Sequence, residues 1–317
     1  MTALGQASLP LYFVTRYGQT GTGSTQMRST DLLRIISPYL TTRITPSIIT
    51  MPGPRFPILQ RLWARARPKG GLYFLTKSAQ TIDPEAADTL RRRSRGIALD
   101  YVDSDLTLGL SQKADVHICS SFAQEDRIRA LQAQGAFAPG PTKVILHNPS
   151  HDLYALSVPR RDQFATVYFG TPSVTRIPEA LASQITVLDT RDHASYLAAL
   201  PELARFPLHY CFRRDREVSD LLVKPFTKGI TASMCSVNLI TSRDVPDAVR
   251  LLGDDYPFLA DGNSDADILD AHSRARTLFN GPEWTAGLER LAALKEEVSG
   301  PSLARRVQEL AAMMGDD

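Results

Sequence analysis

Several features that mark large function classes are missing from this sequence. Only three cysteines occur in 317 residues, Cys119, Cys211 and Cys235, and none has CxxC spacing. That is too few for a disulfide framework, so a reducing interior is the expected setting and a buried apolar role their default. An excess of one charge is missing too. Lys plus Arg number 36 against 34 Asp plus Glu, a net +2, and nothing in that balance calls for nucleic acid or an acidic polymer as partner. No run approaches the ~18 consecutive apolar residues of a spanning helix. Met1 to Pro10 lacks the cationic start and apolar run of a signal peptide, so a cytoplasmic location is expected. Neither a GxSxG elbow nor an HExxH pair occurs. What the chain does have is 43% hydrophobic and 22% charged residues, enough for a sizeable core and incompatible with disorder. Its length suits two domains.

Short apolar and β-branched runs predict strands at Leu11–Thr15, Leu72–Leu75, Gly96–Asp100, Val116–Cys119 and Lys143–Leu146, then at Ala165–Phe169, Ile185–Leu188, Leu208–Phe212 and Ser236–Ile240. Most do not alternate, as expected of strands covered on both faces. Asp31–Ser37, Ala123–Gln134, Ser173–Ser183 and Phe226–Cys235 read as helices between them. Alternating strands and helices imply parallel α/β sheets. The series breaks at His147–Asp162, where Asn148-Pro149 and Val158-Pro159 read as a connector. The expected organisation is two Rossmann-like domains facing a cleft, residues 1–155 and 156–317. The second closes with two amphipathic helices, one carrying Trp284, Leu288, Leu291, Leu294 and Val298, the other Leu303, Val307, Leu310 and Met314.

Ligands of such folds collect at the carboxyl ends of strands. Arg16, Asp100, Ser120-Ser121, His147, Gly170 and Arg213 all fall there. After the first strand, Gly18 and Gly23 have P-loop spacing, but the position of the phosphate-binding lysine is Ser24. Gly21-Thr22-Gly23 begins a dinucleotide fingerprint without its third glycine. What remains is a loop flanked by Arg16 and Arg28 that can lean over a ligand, or a plain glycine-rich turn.

The densest signal is Cys211-Phe212-Arg213-Arg214 followed by Lys224-Pro225-Phe226-Thr227-Lys228-Gly229. Pro225 suits the first position of a helix, which sets Thr227 and Lys228 in its first turn. A helix N-terminus favours an anion, and lysines there make sense if a phosphate offsets their charge. An exposed lysine pair beside a turn is the plainer alternative. Asp103-Ser104-Asp105 fits a DxD pattern, so Asp103 and Asp105 are weak candidates for Mg²⁺ or Mn²⁺, though no metal is required. Asp100 and Asp103 could equally contact a sugar or act as base, as could His147. Arg61, Arg65, Arg67 and Lys69 surround Trp63. They form either a solvated face or a peripheral contact with an anionic membrane, with Leu62 and Trp63 dipping in.

The second half resembles the donor-binding half of bacterial GT-B glycosyltransferases. The likeness lies in the strand ending at Arg213, Lys224-Pro225-Phe226-Thr227-Lys228, Ala232–Cys235, Val237–Thr241, the segment Leu251 to Phe258, and Gly281-Pro282-Glu283-Trp284. The Glu-x7-Glu pair of the commoner retaining subgroups is absent after Lys228. The resemblance implies a nucleotide-sugar donor whose diphosphate meets Arg213, Lys224, Thr227 and Lys228. It implies an acceptor-side loop at Arg16, Gly18 and Arg28, and catalytic candidates Asp100, Asp103 and His147. The implied reaction is sugar transfer to a glycan or lipid-linked hydroxyl in bacterial surface polysaccharide synthesis, in the cytoplasm or peripheral to the inner membrane. An epimerase or hydrolase of the same fold, or a non-catalytic nucleotide- or glycan-binding module, are the alternatives.

Overall fold

The computed structural model describes residues 8–21, 23–106, 114–214 and 221–315. Thr22 of the glycine loop and Met1 to Ala7 lie outside them. The chain forms two compact units, each built on one parallel sheet.

The first unit holds β1 (Leu9–Arg16), β2 (Ile44–Met51), β3 (Leu72–Leu75), β4 (Gly96–Asp100), β5 (Val116–Cys119) and β6 (Thr142–Val144). Their order in the sheet is β2-β1-β3-β4-β5-β6. Its helices are α1 (Gly23–Gln26), which runs through a π turn at Met27–Asp31 into α2 (Leu32–Ile36), then α3 (Pro57–Arg65), α4 (Pro84–Arg91) and α5 (Phe122–Ala133). The second unit holds β7 (Thr166–Gly170), β8 (Ile185–Asp189), β9 (Leu208–Cys211), β10 (Asn238–Ser242) and β11 (Leu259–Ala260), ordered β11-β10-β9-β7-β8. Around them lie α6 (His193–Leu203), α7 (Thr227–Met234), α8 (Ala248–Leu252), α9 (Asp265–Thr277) and α10 (Pro282–Glu297). The last helix is α11 (Gly300–Gly315).

All nine expected strands form, within two residues at either end. Two more were not expected. β2 carries Pro46 opposite Leu11, which a ladder tolerates because β2 is an edge strand. β11 is only two residues long. The expected helix at Ser173–Ser183 does not form. Pro172 and Pro178 confine that stretch to 3₁₀ turns at Pro172–Val174 and Glu179–Leu181.

Strand burial explains the lack of alternation. Every residue of β3, β4, β5, β9 and β10 is buried. Register pairs Tyr12 with Tyr73 and Phe13 with Phe74, each ring pair 4.9 Å apart, on successive and therefore opposite faces of the first sheet.

The domain expectation needs correction at both ends. Unit boundaries fall at Asn148 and Pro149 rather than at residue 155, and α11 belongs to the first unit. Leu303, Ala304, Val307, Leu310, Ala311 and Met314 join Leu11, Phe13, Leu32, Ile36 and Phe74 in one core. Burying each large side chain there contributes roughly 1.5–3 kcal/mol. Gly300 is what lets α11 approach, since a Cβ there would stand 2.3 Å from the Tyr39 ring. By contrast α10 packs within the second unit, where Trp284 joins Phe164, Phe258 and Phe279. The connector expected at His147–Asp162 is tied down at Arg161, which donates to the carbonyls of Ala204, Cys235 and Ser236. No helix among the described residues is long and apolar enough to cross a membrane.

Candidate functional sites

Strand order locates the sites. In the first sheet the chain leaves β1 for β2 on one side and returns to β3 on the other, so the switch point lies between β1 and β3. The loops after those two strands diverge and open a crevice at their carboxyl ends. Arg16 ends β1, and Lys77 follows β3 by two residues. Between them a cavity of about 380 Å³ is lined by Arg16, Ser24, Thr25, Lys77, Ser78 and Ser104, among others. Ser78 Oγ accepts from the Arg16 amide at 3.2 Å, and Lys77 Nζ donates to Ser24 Oγ at 3.1 Å. Gly18 supplies the turn out of β1 with φ +74°.

Beside the cavity stands Asp103, in a left-handed backbone conformation at φ +49°. Its carboxylate lies 3.8 Å from Lys77 Nζ and 3.8 Å from Lys224 Nζ. Burial pushes its pKa up, but His147, the two lysines and a hydrogen bond from Ser24 outweigh that and hold it below the ordinary value. His147 is buried, and burial lowers its pKa. Its Nδ1 lies 2.8 Å from the Asn148 carbonyl, which can only accept, so Nδ1 carries the proton.

Two expected site residues are engaged elsewhere. Arg28 does not lean over a ligand. It sits in the π turn, fully buried, and its Nε and Nη2 each donate to Asp100 at 3.0 Å while Nη1 donates to the Leu146 carbonyl at 3.0 Å. Asp100 is equally buried, with both oxygens taken. A carboxylate at the end of a covered strand needs a cation, and Arg28 supplies it. Neither residue can act as base or ligand clamp. Asp103, about a quarter exposed, is the carboxylate of the pair that keeps contact with solvent.

The second sheet has its switch point between β7 and β9. Gly170 ends β7, and Arg213 follows β9 by two residues and is exposed. Asn263 Nδ2 holds the Arg213 carbonyl at 2.8 Å. α7 begins here with Thr227, and its cap, Phe226, offers no side-chain acceptor to the first turn. Pro225 therefore precedes the cap instead of opening the helix. Lys228, in that first turn, donates to the Phe169 carbonyl and lies 4.3 Å and 4.0 Å from the Tyr168 and Phe169 ring centroids. Burial lowers its pKa to about 8, and Arg213 pushes the same way. Gly170 makes room for it. At φ +136° a Cβ would stand 2.8 Å from Tyr168 Oη and 3.2 Å from Lys228 Nζ.

Arg213, Thr227 and Lys228 all lie in the second unit, just after β9 and in the first turn of α7. Lys224 belongs to the first unit, with the segment ending at Pro225, and there it faces Asp103.

No family model matches this chain, and no curated protein matches it. Solved structures do. HepE of Anabaena, solved with UDP and glucose, matches with TM-score 0.64 at 14% identity over 96% of this chain and 99% of that one. Sucrose-phosphate synthase of Thermosynechococcus elongatus matches with TM-score 0.57 at 14% identity over 96% and 99%. The α,α-trehalose 6-phosphate synthase of Burkholderia multivorans matches with TM-score 0.59 at 9% identity over 97% and 96%. The chain has the GT-B fold.

The GT-B fold accounts for two parallel sheets, each with its own switch point. Sequence reasoning passed over Lys77, Ser24 as a hydroxyl donor or acceptor, and Ser78. Lys77 stood at the end of a predicted strand, so the rule that singled out Arg16 applied to it equally. The weak cation candidates were Asp103 and Asp105. Asp103 is flanked by two ammonium groups, and no group of three or more His, Cys, Asp or Glu among the described residues could hold a metal. The cysteines are buried, and burial pushes Cys235 up to about 12 and Cys119 well above its ordinary value.

Proposed function

We propose that this chain is a glycosyltransferase that moves a sugar from a nucleotide diphosphate, most simply UDP, to an acceptor hydroxyl in bacterial surface-glycan synthesis. The observation that carries this reading is the grouping of Arg213, Thr227 and Lys228 at the β7/β9 switch point. Two cations and the positive end of a helix are what a departing diphosphate needs, and they stabilise it without a metal. The UDP preference is carried over from HepE, which was solved with UDP, with UDP and glucose, and with UDP-glucose. In the first unit, the Arg16–Lys77 cavity is the acceptor side. Asp103, kept ionised by its lysines, is the group to orient an acceptor hydroxyl or take its proton.

Thermal melting with UDP, GDP, CMP or ADP, each with Mn²⁺ or EDTA, tests this. A ligand that binds only the folded state raises Tm by mass action. UDP should raise Tm by the same amount with EDTA as with Mn²⁺. A shift that vanishes in EDTA contradicts the metal-free site, and no shift with any nucleotide contradicts the transferase reading and favours a glycan-binding module. Release of UDP from UDP-glucose with no acceptor present would point to a hydrolase of this fold instead.

A further inference from the structure

The start of α3 in the first unit carries an apolar surface outside the cavity between Arg16 and Lys77. Ile58, Leu59 and Leu62 are 70%, 50% and 53% exposed, and Phe56, just before the helix, is 56% exposed. Helical spacing aligns Ile58 with Leu62 and Arg65, and Leu59 with Leu62, on one side. Gln60, Trp63 and Ala64 are buried on the other. The helix is anchored in that attitude. Gln60 Nε2 donates to the Pro52 carbonyl at 2.8 Å, and its Oε1 accepts from the Asp83 amide at 2.6 Å. Trp63 therefore does not dip outward as the sequence suggested. It lies beneath Arg67, whose guanidinium sits 5.1 Å from the ring centroid, and Phe56, Ile58 and Leu59 take the outward role beside Leu62.

Charge decides what this surface meets. From Met51 to Ile82 the sequence has no Asp or Glu, and it has Arg55, Arg61, Arg65, Arg67, Lys69 and Lys77. Arg61 is spent on the neighbouring acids, Asp83 at 2.9 Å and Glu85 at 2.8 Å. Arg55, Arg65 and Lys69 are exposed around the apolar side chains. A second copy of the chain would bring like charges together across such a patch. An anionic lipid surface answers both features at once, taking apolar side chains below its headgroups and cations at their level.

We propose that α3 docks this chain on the anionic surface of a membrane, burying Phe56, Ile58, Leu59 and Leu62 with Arg55 and Arg65 at the headgroups. The chain leading into α3 passes Arg16, which lines the acceptor-side cavity: a Cβ at Gly53 would stand 3.7 Å from Arg16 Cδ. Resting on the transferase reading, the acceptor is then one anchored in that membrane. Docking itself does not depend on that reading.

Co-sedimentation with vesicles of equimolar phosphatidylglycerol and phosphatidylcholine, against vesicles of phosphatidylcholine alone, tests it. Wild type should sediment with the anionic vesicles and be released by salt. The triple variant Ile58→Ser, Leu59→Ser, Leu62→Ser and the double variant Arg55→Glu, Arg65→Glu should each partition at least about tenfold less. These positions are exposed, so Tm and the UDP-induced shift should stay as in wild type. That control separates loss of docking from misfolding and from failure of the donor site. Wild type left in the supernatant, or a triple variant that sediments like wild type, would overturn the proposal. So would light scattering that shows a wild-type dimer and a monomeric triple variant, which would make a second copy the occupant.

Discussion

Lys228→Met should lower sugar transfer by about 10²–10³-fold, the loss typical when one pre-set donor to a developing oxyanion is removed. Lys228 is the group for which the fold does most. The Phe169 carbonyl and two aromatic rings fix its ammonium, and Gly170 clears the space around it. Its pKa of about 8 gives the prediction a second readout. The charged form, the one able to hold a phosphate, predominates below about pH 8 and is lost as pH rises through it. UDP affinity should therefore fall above pH 8 in wild type, and binding there should take up a proton. In Lys228→Met this pH dependence should vanish. The sign for stability is opposite. A lysine whose folded pKa lies below its ordinary 10.5 favours the fold most above that value, and loses this as pH falls through about 8. At neutral pH the methionine removes that cost while losing one hydrogen bond, so the ligand-free Tm should change little. Titration calorimetry of UDP across pH 7 to 10, beside melting curves, checks both. Unchanged UDP binding by Lys228→Met would mean the diphosphate sits elsewhere.

The second large effect is on stability. Arg28→Ala should cost about 3–5 kcal/mol, because it leaves Asp100 charged and unpaired in the core. Arg28 and Asp100 are both fully buried, with two hydrogen bonds at 3.0 Å between them. Replacing the pair together, Arg28→Met with Asp100→Leu, should recover most of that loss, since apolar residues of similar volume need no partner. Urea unfolding of the single and double variants measures the difference. An Arg28 that served as a ligand clamp would behave in reverse, keeping stability when truncated and losing only affinity. A double variant no more stable than Arg28→Ala would show that the Leu146 carbonyl, not the ion pair, is what Arg28 holds.

These residues also show where sequence reasoning stops. Strand positions were legible because covered strands are written as unbroken apolar runs, as at Leu72–Leu75 and Val116–Cys119. β2 was not, because Pro46 argues against a strand until one knows that the strand is an edge. The α11 helix was legible as a helix, but its periodicity cannot say which of two sheets it covers. Arg213, Thr227 and Lys228 were singled out from local order alone, since strand ends and helix starts are local events. Arg28 and Asp100 were misread because their pairing spans 72 residues. An arginine after a glycine loop and an aspartate at a strand end look the same whether they meet a ligand or each other. Lys224 was assigned to the wrong unit for a related reason. It is only four residues from Lys228, yet the chain passes from one unit to the other between Pro225 and Phe226.

Amide hydrogen exchange with and without saturating UDP, in EDTA, locates the nucleotide diphosphate on the chain. Bound UDP should slow exchange in the first turn of α7, from Thr227 to Ile230, and at Arg213-Arg214, with the strands of the first unit unaffected. Protection confined to the segments around Ser24 and Lys77, or no protection at all at the start of α7, would contradict the placement of the nucleotide diphosphate on the second unit.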